Sequence, residues 1–390
     1  MDTILFYLSI ITCIFWFFIW FMTMNSTRKI QSLPNETMKD YPTLSVIVAA
    51  KDEEKAIYKS VSSQLQQDYP NVEWILVDDR STDRTLNLMK QLEKKDTRVH
   101  VISIEHLKDG WLGKNHALYE GYKQAKGEIL LFTDADVIFE RTDVFARSVT
   151  AMNKQKVEHL TMAPSLRAES FLLQAFIGFF LFGFHYFKRP HLANNDRSSV
   201  AMGVGAFNLI KRTAYETIGT HKAIAFRPDD DLQIGIQIKQ HGLKQRFFTG
   251  IDDLSVEWYP SLKEAIKGLE KNMFAGLHFK YYMVFVAIFG VFLSQTFPFL
   301  ALFFTTGPTF YLYICSIILL FIIYLQIIHL FTSFSKRTVF LFPISSLLFI
   351  YTIIRAIFLM LYRGGIVWRG TTYTLDEFKT LQKIKRKADS

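Results

Sequence analysis

The sequence predicts an α/β domain with a mixed, mainly parallel sheet, flanked by transmembrane helices at both ends of the chain. Three observations predict it. First, three aliphatic runs each end in carboxylates: Leu44 to Ala50 before Asp52-Glu53-Glu54, Glu73 to Val77 before Asp78-Asp79, and Glu128 to Thr133 before Asp134-Ala135-Asp136. Such runs read as buried parallel strands, and the charges after them begin loops and helices. Second, apolar residues make up 50% of the 390-residue chain and Phe alone numbers 37, more than a soluble enzyme needs. Third, that excess gathers near the two ends of the chain.

Taken in order, Ile4 to Met24 is a continuous apolar stretch of about the 20 residues that a span requires. No basic segment precedes it and no small-residue cleavage site comes after it, so an uncleaved anchor is expected over 1–26. A catalytic domain is expected over 40–280. Ser81 and Thr82 come after the second strand as helix N-cap candidates. Trp111-Leu112-Gly113-Lys114 reads as a turn that opens a helix. A helix N-terminus carrying a lysine favours a diphosphate. His116 is the one histidine near this crevice and reads first as a structural hydrogen-bonder. Phe171 to Phe187 could almost span a membrane. Spanning once would put the acids before and after it on opposite sides. It therefore reads as an in-plane interfacial helix, about 170–188, with an ordinary buried helix as the alternative. Gly203-Val204-Gly205-Ala206 is no P-loop, because no Gly-Lys-Ser/Thr comes after it. Pro228-Asp229-Asp230-Asp231 precedes an amphipathic stretch from Gln233 to Gln240.

From Tyr281 the chain is mostly apolar to Tyr362, with segments near 282–304, 309–331 and 338–362. Three spans would carry the basic tail, within 363–390, to the far side of the membrane, against the positive-inside rule. Pro343 and the charged Arg355 interrupt the last segment, which is expected to be re-entrant or partly interfacial. Arg28 and Lys29 come after the first span, and Lys263, Lys267, Lys271 and Lys280 precede the second apolar region. Both flanks of the middle domain are thus expected in the cytoplasm of a multi-pass cell-membrane protein, with the tail there too.

The chemistry is set by the acids. In an open α/β sheet, ligands bind in the crevice at the carboxyl ends of the strands. Two carboxylates one residue apart, Asp134 and Asp136, can hold a divalent cation that also binds substrate phosphates. The same residues taken alone are equally the residues of a solvated turn. Asp229 to Asp231 could likewise be only an acidic run complementing a helix dipole.

The ordered set resembles the family 2 glycosyltransferases. Their pattern is a strand ending in an Asn-Glu pair, then V-D-D-x-S-x-D, then D-x-D, then an acidic pair with a Gly eleven residues after its second acid. Here these are Asp52-Glu53, Val77 to Asp83, Asp134 to Asp136, and Asp230-Asp231 with Gly242 eleven residues on. The resemblance covers roughly 44–275. Asp52 stands where the family usually has Asn, and Arg80 where it often has Gly. The resemblance implies a GT-A fold for nucleotide-diphospho-sugars. It implies Mg2+ or Mn2+ on Asp136 and Asp134. It implies donor contacts from Asp52, Glu53, Asp78, Asp79, Lys114 and Asp134, and an inverting base at Asp231, with Asp230 as runner-up. No Q-x-x-R-W motif is present, so processive polymer synthesis is not expected. The stretches 109–117, 264–276 and 367–373 resemble a subgroup that glycosylates carotenoid acids and hopanoids. That implies one sugar, glucose from UDP-glucose, placed on a hydrophobic acceptor such as a C30 carotenoid acid. Another lipid acceptor, hopanoid or ceramide-like, is the alternative.

Other classes fit poorly. The net charge of +9 is scattered and not interleaved with aromatics, which argues against nucleic acid. Cys13 and Cys315 lie in apolar segments and form no metal-ligand spacing. A non-catalytic membrane scaffold would need a missing carboxylate, and every expected one is present. A channel or transporter would need more spans.

Overall fold

The computed structural model describes residues 2–276, 281–363, 365–368 and 371–374. Lys280 and the basic tail from Lys379 to Lys387 lie outside the described residues. An apolar helix, α1 (Asp2–Thr27), leads into an eight-stranded sheet. Its strands are β1 (Leu44–Ala50), β2 (Val72–Asp79), β3 (Val99–Ile104), β4 (Ile129–Asp134), β5 (Ile138–Phe139), β6 (His159–Arg167), β7 (Asn208–Lys211) and β8 (Gln245–Glu257), in the order β3-β2-β1-β4-β7-β6-β8-β5. β3, β2, β1 and β4 are parallel, β7 runs against both its neighbours, and β6 is parallel to β8.

The strands form where the runs predict, because both sheet faces are covered. Val46, Val48, Trp74 and Leu76 face one apolar layer, with α2 (Ile57–Gln64), α3 (Thr85–Lys95) and α5 (Val144–Lys154). Ile47, Ile75, Val77 and Leu130 face another, with α4 (Gly113–Gln124), α7 (Arg212–Thr217) and α8 (Asp230–Gln240). Burying each such aliphatic side chain stabilises the fold by roughly 1.5–3 kcal/mol. α3 begins at Thr85, not at Ser81 or Thr82. Asp83 Oδ1 accepts from the Thr85 N–H at 2.9 Å, so the first free N–H is satisfied one turn later.

The apolar helices pack as a bundle against one end of the sheet. They are α6 (Phe171–Lys188), α10 (Tyr281–Val291), α11 (Phe297–Ala301), α12 (Gly307–Phe331) and α13 (Phe342–Arg363), and α9 (Leu262–Gly276) packs on α6 and α13. A π-helical turn, Phe292–Thr296, joins α10 to α11 just before Pro298, where the missing N–H disturbs the helical ladder. Among the described residues five helical segments are long and apolar enough to cross a membrane: Asp2–Thr27, Phe171–Lys188, Tyr282–Ala301, Gly307–Phe331 and Lys336–Arg363. A short hairpin, β9 (Gly365–Trp368) with β10 (Thr371–Thr374), closes the described chain.

Contacts fix the helix directions. Tyr313 on α12 bonds the Leu5 carbonyl of α1. Thr249 of β8 pairs with Ser32, just past α1, and donates to the Leu330 carbonyl near the end of α12 at 2.6 Å. α1 and α12 therefore run parallel, both ending at the sheet. After α12 a 3-10 turn, Lys336–Leu341, climbs back into the bundle and sets Phe342 against Tyr324. Pro343 sits in the first turn of α13, where its missing N–H costs nothing. α13 then runs back: Ser346 meets Thr296 on the early side, and Ile353 and Met360 meet Val284 on the later. α6 lies across the bundle, with Phe179 and Phe182 on Phe342 and His185 on Ser26.

One buried ion pair ties the segment after α1 to the domain. Arg147 on α5 meets Asp253 of β8 at 2.5 Å and donates to the Leu33 and Pro34 carbonyls at 2.6 and 3.0 Å. Arg147→Met leaves the buried Asp253 with only Arg141, 3.9 Å away, and two carbonyls without the Arg147 bond. It is expected to cost about 3–5 kcal/mol, read as a lower unfolding midpoint of the detergent-solubilised protein. An unchanged midpoint contradicts this.

Candidate active site

β1, β2 and β4 lie side by side, and their carboxyl ends finish level. Asp78 pairs with Ala50, and Asp134 with Ala49. The apolar runs end where the sheet edge meets the crevice, so the acids at their ends collect there. α8 brings Asp230 and Asp231 to the same place in its first turn, where carboxylates complement the helix dipole. The helix thus starts three residues before the amphipathic stretch.

Lys114, in the first turn of α4, joins these groups. Its Nζ lies 2.7 Å from Asp134 Oδ1 and 3.5 Å from Asp230 Oδ2. Burial alone would lower its pKa, but the charges of Asp134, Asp230 and Asp231 outweigh burial and hold it raised. Burial, then the Asp134 charge, pushes the half-buried Asp136 up to about 6. Burial, then the Asp230 charge, pushes Asp231 up to about 7. Asp230 is raised by burial, with Lys114 opposing.

Asp231 is held at both oxygens. Oδ2 accepts from the Gly205 N–H at 2.8 Å and Oδ1 from the Leu232 N–H at 2.7 Å. Gly205 also accepts at its carbonyl from the Asp134 N–H at 3.0 Å, so one residue spaces the acids of β4 from those of α8. Nothing larger fits: a Cβ on Gly205 would lie 2.3 Å from Asp134 Oδ2, and one on Gly203 would lie 1.8 Å from the Asp231 carbonyl. Two glycines one residue apart, just before a strand, were the sequence signal for this approach. Asp229 faces away, held by Arg227 at 2.8 and 2.9 Å and by Gln233 at 2.8 Å.

The remaining predicted residues divide. Asp79 is buried, and Arg80 binds its Oδ1 through Nε and Nη2, each at 2.8 Å. Arg80 has φ +59°, which explains why Gly suits this position; here the ion pair offsets the strain. Asp79 Oδ2 lies under Gly113, where a Cβ would approach to 2.2 Å. Asp78 is buried, and its Oδ1 has no hydrogen-bond partner among the described residues. Asp52 instead knits two loops together: its Oδ1 accepts from the Thr82 N–H at 2.7 Å and its N–H donates to Ser81 Oγ at 3.1 Å. The Glu53 N–H donates to Thr85 Oγ1 at 2.8 Å. His116 packs on Trp111, 3.5 Å from Glu120, and burial pushes its pKa down.

This donor set fits a hard divalent cation. Asp134 and Asp136 offer carboxylate oxygens, and a 2+ charge would favour the ionised form that burial disfavours at Asp136. Among the described residues no three Asp, Glu, His or Cys side chains close into a metal cage. One or two carboxylates completed by substrate phosphates is the usual arrangement for Mg2+.

Residues 42–254, more than half of the chain, match the model of the family described as glycosyltransferase like family 2. The probable glycosyltransferase YdaM of Bacillus subtilis (strain 168) is 27% identical over 221 residues, 55% of this chain and 50% of that protein. The 4,4'-diaponeurosporenoate glycosyltransferase of Staphylococcus aureus (strain USA300) is 24% identical over 238 residues, 60% of each chain. The chain thus spans about half the length of these relatives. The solved mannosyltransferase PcManGT from Pyrobaculum calidifontis, in complex with GDP-Man and Mn2+, superposes with a TM-score of 0.59 at 17% identity, over 90% of this chain and 99% of that one. That likeness is one of fold.

Proposed function

The chain belongs to the family described as glycosyltransferase like family 2, and from that premise we propose that it is a membrane-bound inverting glycosyltransferase. It moves one sugar, glucose from UDP-glucose, to a hydrophobic acceptor, and the acceptor favoured is a C30 carotenoid acid. The observation that carries the reading is the gathering of Asp134, Asp136, Asp230 and Asp231 around Lys114 at the ends of parallel strands. The relatives named 4,4'-diaponeurosporenoate glycosyltransferase support the acceptor. So does the loop before β7: its Met202 and Val204 pack on the apolar layer of α6 and α12, within three residues of Gly205.

The roles rest on the geometry. Asp231, raised to about 7, is poised near working pH as general base, with Asp230 as runner-up. From a hydroxyl acceptor it takes the proton as the acceptor oxygen bonds to the anomeric carbon; a carboxylic acid arrives already ionised, and Asp231 then has a positioning role. The bond from that carbon to the diphosphate oxygen breaks on the opposite side, which inverts the configuration. Asp136 and Asp134 would hold a Mg2+ or Mn2+ ion, which would supply charge neutralisation for the departing diphosphate. Lys114 adds a positive charge at the N-terminus of α4. Asp78 and Asp79 hold the nucleotide, and Asp52 and Glu53 shape the loop beside it. Arg28 and Lys29 after the first span, with Lys263 and Lys267 before the second apolar region, support a cytoplasmic side for the domain over 40–280. α6 lies in the membrane interface, so that a lipid can reach the crevice. The return of α13 toward the sheet supports a tail on the same side.

Asp79→Ala is expected to raise the KM for the nucleotide sugar by about 10- to 100-fold, the worth of one charge-assisted hydrogen bond. An unchanged KM with altered acceptor use contradicts that role. The whole reading is tested by comparing lipid extracts, by mass, from a host that makes the carotenoid acid, with and without this gene. A hexose ester of the acid is expected. A hexose on a hopanoid or a ceramide-like lipid would replace the acceptor, and no glycosylated lipid would overturn the reading.

A further inference from the structure

The first turn of α4 carries a second polar residue that the roles above leave unused. Asn115 is 1% exposed. Its Nδ2 donates to three backbone carbonyls, those of Ile224 at 2.8 Å, Ala225 at 3.1 Å and Arg227 at 2.9 Å. The Leu112 N–H adds a bond to the Ala225 carbonyl at 2.9 Å. An amide nitrogen has two hydrogens, so one of them is shared between acceptors. This side chain spends its donors on a distant loop and not on its own helix.

That loop links α7 to α8. It turns at Gly219 and Thr220, both with positive φ. At its near end the Tyr215 hydroxyl meets His221 Nδ1 at 2.6 Å and accepts from the His221 N–H at 3.0 Å. At its far end Arg227 grips Asp229, directly before Asp230 and Asp231. A chain of contacts results. Asn115 fixes the backbone of Arg227, the Arg227 guanidinium fixes Asp229, and the first turn of α8 comes next. Lys114, the preceding residue, reaches Asp134 and Asp230. One turn of α4 therefore sets both the charge beside these acids and the place where they stand.

We propose that Asn115 is a positioning residue for the acid-bearing turn. It ties the helix that faces the donor diphosphate to the loop that carries the base, so that the donor and acceptor halves of the crevice keep one geometry. The catalytic part of this proposal rests on the glycosyl-transfer reading. A misplacement of about 1 Å in such a site costs on the order of 10²-fold in rate.

The test uses the full-length protein in detergent. Asn115→Asp keeps the shape and removes the donor. Amide hydrogen exchange over 222–228 is expected to rise about tenfold or more, with exchange in β1, β2 and β4 unchanged. The kcat is expected to fall on the order of 10²-fold, with the donor KM changed by less than about threefold. Asn115→Ser, which keeps a donor, is expected to recover part of the kcat. Leu118→Ala, buried on the same helix in the apolar layer that also holds Ile224, loosens α4 while keeping the Asn115 bonds and is expected to raise loop exchange far less than Asn115→Asp. Unchanged loop exchange in Asn115→Asp overturns the proposal. So does Leu118→Ala if it reproduces both the loop exchange and the kcat loss, since the role is then only structural. If Asn115→Asp does not fold, Asn115→Ser against Leu118→Ala carries the same comparison. An inactive wild type would sink the glycosyl-transfer reading, while hydrogen exchange would still decide whether Asn115 holds the loop.

Discussion

Asp136→Asn is expected to bring sugar transfer down to background in Mg2+ or Mn2+ and to weaken binding of the nucleotide sugar. Asn keeps the volume of the side chain and loses its charge. At this position the charge is costly to hold: burial and the neighbouring Asp134 push the Asp136 carboxyl up to about 6. A divalent cation reverses that balance, and its loss removes several kcal/mol of transition-state stabilisation, on the order of 10³-fold or more in rate. Two measurements separate the metal from a general loss of structure. Excess EDTA should abolish wild-type transfer, with activity restored by added Mn2+. Titration of the variant with UDP-glucose should show binding that no longer responds to Mn2+. Full wild-type activity in excess EDTA would sink the metal assignment.

The Asp231→Asn variant should lose on the order of 10²–10⁴-fold in kcat on a hydroxyl acceptor, with donor binding nearly intact. A general base acts only in the transition state, and Asn has no basicity to offer. The side chain can keep one of its two backbone bonds, because the amide oxygen still accepts from an N–H, so the turn should stay in place. On a carboxylic acid, already ionised at neutral pH, the base has little to do, and the defect should be mild. The size of the loss therefore reports the acceptor class. Asp230 and Asp231 sit side by side and both feel the charge of Lys114. A large loss in Asp230→Asn, with Asp231→Asn near wild type on the same hydroxyl acceptor, would transfer the role to Asp230.

Much of the architecture was legible because its signals are local. The strands at 44–50, 72–79 and 129–134 were visible as aliphatic runs that stop at acids. The long apolar helices were visible as composition. Smaller features were misjudged where two local signals compete. Ser81 and Thr82 are good N-cap residues, yet Asp83 satisfies the first free N–H of α3, and the hydroxyls serve Asp52. The last apolar segment, expected to be re-entrant or partly interfacial, divides into a 3-10 turn and α13 at Phe342. Pro343 marks that break, but only packing against Tyr324 and Thr296 sets the direction of α13.

By itself the sequence determined which strands end in carboxylates, where the apolar helices lie and which family the ordered motifs resemble. Runs, periodicities and spacings are properties of neighbouring residues, so a chain displays them without being folded. Only the tertiary structure decided how the acids are shared out. It put Asp134 and Asp230 on Lys114, turned Asp229 toward Arg227, gave Asp231 to Gly205, and set Asn115 on a loop 109 to 112 residues away. Those contacts depend on how closely separate segments approach, to within tenths of an ångström at Gly203 and Gly205, and no local pattern in a sequence carries that distance.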